Sequence, residues 1–363
     1  MNTQRRHPQR RSSRRRAAGL SIIELMISIT LGLMILTAVI TVFVNASATR
    51  SELERTSRQI ENGRMAIEIL SDDLRLAGFY GELAAGSLAA PGAVPDPCTT
   101  TIANLQAGMP LHVQGYFRGT AVPVTCPGVS PLANSDVLVV RRVKTCVAGV
   151  AGCAAEANDR PYLQVSLCSV DATPLTLALW NGNLATFPLR INGCPTVATL
   201  AGRREFLTHV YYLSTSNGAG QNIPTLKRLE LAPGNPPVWV DTPLVEGIER
   251  INIEYGIDYL DGDGNPDGYT ADPTNYNPGD CPVGACIAVN NWANVVTVQF
   301  HILARNTERT PNYKDTKTYH LGRDAAGAAY TVGPFAAPDD VYRRHVYSGL
   351  VRIINPAGRR DAP

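Results

Sequence analysis

Gly19-Leu20-Ser21-Ile22-Ile23-Glu24-Leu25 decides how the chain is read, because it opens an apolar run that continues to Val44. From Leu20 to Val44 the 25 residues hold no Lys, Arg, Asp or His, and Glu24 is the one ionisable side chain. At about 1.5 Å per residue, a helix over this run is long enough to cross a hydrocarbon core of roughly 30 Å. A carboxylate within such a span costs on the order of 2.5–3.5 kcal/mol on insertion scales, so Glu24 calls for a partner. Arg5, Arg6, Arg10, Arg11, Arg14, Arg15 and Arg16 precede the run with no acidic residue among them. That asymmetry keeps the leader cytoplasmic and sends everything after Asn45 outward. An arginine run is also what a nucleic-acid arm looks like, but beside a span it reads as a topology signal, and the remaining charges nearly balance.

The stretch Gly19 to Leu25 resembles the prepilin leader motif of type IV pilins and their relatives. The resemblance implies that a membrane peptidase cuts between Gly19 and Leu20, methylates the new amino terminus and leaves Glu24 at mature position five. Leu20 stands where the family usually has Phe. In a subunit bundle, a neighbour's terminal amine would neutralise the Glu24 carboxylate, so the charge penalty would vanish only on correct assembly. A competing reading comes from Ala46-Ser47-Ala48, an A-x-A sequence of the kind found at secretory cleavage sites. The apolar run is much longer than the usual signal core of about 7–15 residues, which speaks against that reading.

The helix is expected to continue beyond the span. Residues 50–77 contain no Pro, and Leu53, Ile60, Ile67, Leu70 and Leu74 recur at the spacing of one helical face. Ser51 and Glu54 would form a capping box if the helix restarted there. Gly63 costs about 1 kcal/mol against Ala inside a helix and marks a bend or a close approach; Gly78 stands where a C-terminal cap is wanted. The segment from Glu61 to Tyr80, with Glu61-Asn62-Gly63-Arg64 and Asp73-Leu74-Arg75-Leu76-Ala77-Gly78, resembles the corresponding segment of PilW-type minor pilins, large low-abundance subunits of type IV pili. In that family a Cys often follows the aromatic pair, whereas Gly81-Glu82 stands here.

After Gly81 the composition turns to Ala, Gly, Pro and Thr, and Pro91, Pro95, Pro97, Pro123 and Pro127 interrupt any helix. Runs rich in β-branched and aromatic residues then predict strands over 136–144, 162–167, 206–213, 226–231, 248–258, 294–304 and 345–354. The expected fold is α+β and pilin-like: a long N-terminal helix, membrane-spanning over 20–44, packed on a large, mainly antiparallel β domain. The expected divisions are a cleaved leader (1–19), the helix (20–78) and an outward, periplasmic or extracellular β domain (79–363), large enough to bury its own core.

Cys98, Cys126, Cys146, Cys153, Cys168, Cys194, Cys281 and Cys286 all lie on the outward side. An even number in an oxidising compartment reads as disulfides, although eight cysteines allow 105 connectivities. Cys281 with Cys286 and Cys146 with Cys153 would close small loops; Cys98 with Cys126 and Cys168 with Cys194 is a weaker pairing. No C-x2-C spacing supports zinc. Asp261, Asp263, Asn265 and Asp267 alternate along a Gly-rich turn, with Asp272 twelfth from Asp261, a spacing that resembles an EF-hand-like calcium loop. Pro266 occupies the position where such loops turn on Gly, and the last ligand is Asp rather than Glu. The plain alternative is a solvated turn between two strands.

Enzymatic motifs are missing: no G-x-S-x-G, H-E-x-x-H, P-loop or dinucleotide-binding fingerprint occurs. His209, His301 and His320 fall in or beside strand-like runs and read as structural. The resemblance therefore implies a non-enzymatic minor pilin needing no cofactor, with calcium as the one candidate ion. It would prime assembly with other minor pilins and the major pilin on the inner-membrane assembly platform, after processing by the prepilin peptidase. A place near the fibre tip, beside a tip adhesin, would link it to adhesion, twitching motility or DNA uptake, without direct nucleic-acid binding. The alternatives are a type II secretion pseudopilin, which shares leader and helix, and a secreted calcium-dependent binding protein released after Ala48.

Overall fold

The computed structural model describes residues 19, 21–83, 87–119, 126–195 and 199–360. The arginine leader and Leu20 lie outside them. Helix α1 (Ile22–Arg75) runs unbroken, without a restart at Ser51. The chain divides into two compact units, Met1–Glu54 and Arg55–Pro363.

In the first unit the apolar side chains of α1 are bare: Ile22 is 80% and Phe43 72% exposed. Hydroxyls along the apolar stretch bond within the helix. Ser28 Oγ donates to the Glu24 carbonyl at 2.7 Å, Thr37 Oγ1 to that of Leu33 at 2.8 Å and Thr41 Oγ1 to that of Thr37 at 2.7 Å. A helix crossing hydrocarbon would need this, since no water is there to satisfy a stray donor. Among the described residues, α1 is the one helix long and apolar enough to cross a membrane.

The second unit carries the rest of α1 and a mainly antiparallel β domain. Its strands are β1 (Val113–Tyr116), β2 (Val137–Val143), β3 (Pro161–Val165), β4 (Leu175–Leu179), β5 (Arg203–Ser214), β6 (Thr225–Ala232), β7 (Val238–Glu246), β8 (Ile248–Ile257), β9 (Gly268–Thr270), β10 (Val295–Arg305), β11 (Tyr319–Arg323), β12 (Ala329–Val332) and β13 (Arg344–Arg352). One sheet has the order β1-β2-β5-β3-β4, with β6 paired to β5 and β7 to β6. A second has the order β13-β10-β8-β9, and β11-β12 forms a separate hairpin. Short helices α2 (Ile102–Ala107) and α3 (Ala288–Ala293) lie in the connections, and α4 (Ile354–Arg360) follows β13. Disulfides join Cys98 to Cys126, Cys146 to Cys153, Cys168 to Cys194 and Cys281 to Cys286.

One apolar core is shared by α1 and both sheets. Ala66, Leu70 and Leu74 of the helix meet Leu138, Val140, Tyr211 and Leu213 of the first sheet and Ile253, Phe300 and Ile302 of the second. The alternation along β10 is strict here: Val298, Phe300 and Ile302 point into this core, while Gln299 and His301 take the opposite face. The buried helix face agrees with the expected one at Leu70 and Leu74, with Ile67 partly buried against the same core, and departs from it toward the amino end. Gln59, Gly63, Ala66, Leu70 and Leu74 are buried, whereas Leu53 is 67% and Ile60 40% exposed. A small residue is needed at Gly63 because an aromatic ring packs onto the helix there. A Cβ built on Gly63 would lie 2.5–2.6 Å from ring atoms of Tyr347 on β13. Gln59 Nε2 donates to the carbonyls of Ala304 and Arg343 at 2.9 and 3.0 Å, and Asn62 Nδ2 to that of Glu246 at 3.0 Å.

A buried polar cluster fixes the end of the helix. The Asp73 carboxylate accepts from Arg142 Nε at 2.5 Å and from the Tyr211 hydroxyl at 2.8 Å, and lies 2.7 Å from His209 Nδ1. Burial pushes its carboxyl up, but the charges and hydrogen bonds of His209 and Arg142 outweigh this and hold it well below the carboxylate range. Past Arg75 the chain turns at Gly78, in the left-handed region at φ +70, and Gly78 N donates to the Arg141 carbonyl at 3.0 Å.

Two consequences are measurable on the full chain. Gly63→Ala gains about 1 kcal/mol of helix propensity, yet overpacking against Tyr347 costs typically 1–3 kcal/mol. A lower melting temperature is expected, and it should recover when Tyr347→Ala is combined with it. Asp73→Asn removes a buried charge from its partners and should destabilise by about 3 kcal/mol at neutral pH. Because the folded carboxyl titrates below its ordinary 3.8, the stabilisation is present above that value and is lost as pH falls through the folded pKa. The difference between wild type and Asp73→Asn in denaturant melts should therefore shrink on acidification below pH 3.8.

Candidate functional site

Two places gather the side chains to which the sequence points. The first is the start of α1. Ser21 precedes the helix and its carbonyl accepts from Leu25 N at 3.0 Å, so it is the N-cap; Glu24 is then the third helical residue. Ser21 N donates to Glu24 Oε2 at 3.4 Å. This is half of a capping box, with Ser21-Ile22-Ile23-Glu24 as its sequence. The carboxylate reaches back toward the helix's own amino end, where unpaired amide N–H groups and the helix dipole favour negative charge. Gly19 is exposed, and Leu20 lies outside the described residues. The S-x-x-E signature was legible in the sequence, overshadowed there by the similar pattern at Ser51 and Glu54, which the structure leaves in mid-helix.

The second place is the acidic turn after β8. Asp258, Asp261 and Asp267 each bring a carboxylate oxygen within 4.8 Å of the others. Asp258, only 2% exposed, organises the turn: its Oδ1 accepts from Gly262 N at 2.9 Å and its Oδ2 from Gly264 N at 2.8 Å. Both glycines have positive φ, +71 and +82, which explains the Asp-Gly-Asp-Gly alternation. Asp267 Oδ2 accepts from Tyr259 N and Leu260 N at 2.7 and 2.8 Å.

The remaining members of the expected ligand set are turned elsewhere. Asp263 accepts from the backbone and side-chain amides of Asn265 at 2.7 and 3.0 Å, and these hydrogen bonds hold its carboxyl below the ordinary range. Asp272 caps the short turn Pro273–Asn275, accepting from Thr274 N at 3.1 Å and from Asn275 Nδ2 at 2.7 Å. An EF-hand ligand order is therefore not what the fold builds. Asp258, which the sequence places at a strand end, replaces Asp272 in the converging group. The three converging carboxylates are the residues that could hold a cation here, with oxygen ligands of the hard type calcium prefers.

Residues 210–355 match the model of a protein family described as Type IV Pilus-assembly protein W. The match lies wholly within the β domain, beyond the Gly19–Tyr80 segment that carries the sequence resemblance, so the two pointers rest on different residues. Together they support a PilW-type type IV pilus protein with a role related to pilus assembly, a structural rather than a known enzymatic family. No curated protein and no solved structure matches the chain.

Proposed function

We propose that the chain is a minor pilin: a non-enzymatic subunit that is cut after Gly19, held in the inner membrane by residues 20–44 and presents residues 79–363 on the periplasmic side. Other minor pilins, the major pilin and the assembly platform are its partners, and a place near the fibre tip gives it its bearing on adhesion, twitching motility or DNA uptake. The observation that carries this reading is the bare apolar helix opening on Ser21 and Glu24, joined to a domain that matches a pilus-assembly family. A helix with no apolar partner of its own is stable in lipid, and in a fibre against the same helix of its neighbours. The domain match also favours this reading over a type II secretion pseudopilin.

Glu24 has a local role and a proposed intermolecular one, and two substitutions separate them. Gln retains an acceptor for the Ser21 amide but has no charge; Ala has neither. If a neighbour's terminal amine is the partner, both Glu24→Gln and Glu24→Ala insert normally yet lower piliation several-fold. Wild-type piliation in both would overturn the assembly role, and loss in Ala alone would reduce Glu24 to a helix cap. Mass spectrometry of the membrane-extracted wild type should find a methylated Leu20 as first residue; a start at Thr49 would discard the pilin reading.

Calcium at the Asp258–Asp267 turn is part of the same proposal and has its own check. Millimolar calcium should raise the melting temperature of the wild type but not of Asp261→Asn. An equal response in both, or none in either, would leave the turn as a solvated one.

A further inference from the structure

The second sheet turns one face away from the shared core, and the β11-β12 hairpin covers part of it. Three residues that share this face, Glu254 and Asn252 on β8 and His301 on β10, are almost fully buried, at 6%, 1% and 8% exposure. Asn252 is the register partner of His301, and Glu254 that of Gln299. Asn252 Nδ2 donates to the carbonyls of Leu321 and Arg323 at 2.7 and 3.0 Å, which fixes the hairpin above.

His301 Nδ1 is engaged, 2.8 Å from Ser348 Oγ. Its Nε2 is buried without a hydrogen bond, as is Asn252 Oδ1. The nearest acid is Glu254, whose Oε1 lies 3.5 Å from Nε2 and accepts from Arg323 N at 2.9 Å. Glu254 and His301 are among the residues that line a pocket of about 370 Å³, with Tyr269, Gln299, Gly322 and Arg323. Gly322 has φ +74, and a side chain there would overlap Glu254 Oε1 and come within 2.6 Å of His301 Nε2. Only a glycine can pack this closely against the two side chains.

We infer that His301 Nε2 and Glu254 Oε1 are two ligands of a divalent transition metal of the zinc type, bound in this pocket with its other positions open to solvent. Three features carry this. An imidazole and a carboxylate are ligands that suit zinc-type ions rather than calcium. The spacing fits: ligands at about 2.0–2.1 Å from one ion and 3.5 Å apart subtend roughly 113–122°, near the tetrahedral angle, whereas an octahedral edge would bring them to about 2.9 Å. The other ring nitrogen is also engaged, 2.8 Å from Ser348 Oγ, a contact that sets the ring plane; when Nδ1–H is the donor there, the Nε2 lone pair is left free for an ion. In that tautomer an empty site would set the Nε2 lone pair against the carboxylate, so a cation between them removes a repulsion. The site lies on another element from the acidic turn and is independent of the pilin reading.

The test uses the full chain in detergent, stripped with chelator and dialysed against buffered zinc in millimolar calcium. One zinc per chain should be retained, and His301→Gln and Glu254→Gln should each weaken binding by about tenfold or more, as loss of a ligand or its support typically does. Asp261→Asn, at the acidic turn, should leave zinc binding unchanged. Melting of the two ligand variants with chelator present establishes that they fold. Should either not fold, cobalt bound to the wild type decides, since a tetrahedral site gives intense visible bands and an octahedral one does not. No zinc retained at micromolar free metal, equal affinity in His301→Gln, dependence on Asp261, or octahedral cobalt alone would overturn the assignment and leave a His301–Glu254 ion pair.

Discussion

The carboxylate of Asp73, buried at the end of a long helix, takes Arg142 from one strand and His209 and Tyr211 from its neighbour. A buried charge without partners costs several kcal/mol, so this end of α1 docks only where all three are already presented together. They are presented together by one register: β2 and β5 pair with Val140 opposite His209 and Arg142 opposite Leu207. Side chains alternate along a strand, so a slip by one residue would turn Arg142 or the His209–Tyr211 pair away from the helix. Helix rotation and strand register thus specify each other. The surrounding apolar contacts supply most of the stability but discriminate less between arrangements.

The same logic of complete pairing explains how the two sheets are joined. Strand β8 pairs with β10 along one edge, but β9 covers only Tyr255 to Ile257 on the other. The open amides before that are met from the first sheet's leading loop: Ile251 N donates to Ser135 Oγ at 3.1 Å and Ile253 N to Asp136 Oδ2 at 2.7 Å. Burial pushes the Asp136 carboxyl up to about 7 against the pull of its two backbone hydrogen bonds, from Arg118 and Ile253. A carboxyl in so dry a place is tolerable because the alternative is a row of unpaired backbone donors.

The long helix and seven of the strands were legible in the sequence because each has a period that burial requires. Strand Val295–Arg305 alternates in its middle, and Ile248–Ile257 does so from Arg250 to Tyr255, since each has one face in the core and one under the hairpin. Other strands carry no such signal. β7 holds Pro243 and buries only Val245 fully, tolerable at a sheet edge where one row of donors needs no partner. β11 and β12 are short and make sense only against the face of the second sheet that they cover. The helix face was legible only toward its carboxyl end for a related reason: Gly63 carries no hydrophobic signal, yet its smallness makes room for Tyr347 of β13. The acidic turn was legible as a cluster but not in its membership, because Asp258 reads as a strand residue until the chain folds back onto Gly262 and Gly264.

The start of α1 shows how one carboxylate can serve two ends. As a cap, Glu24 needs only an oxygen near the Ser21 amide, and the 3.4 Å separation is a loose bond that a stronger donor could displace. As a partner for another subunit, it needs a full charge in a medium where charge is expensive. In the proposed assembly the cap would make the second role feasible, because a carboxylate resting against the amino end of a helix would be partly solvated by amide dipoles while the chain waited alone in a membrane. A terminal ammonium arriving from a neighbour would offer a charge-assisted bond in place of that weak one, so the gain on assembly is the difference between the two. That difference, rather than the whole cost of burying a carboxylate, is what correct assembly at Glu24 would gain.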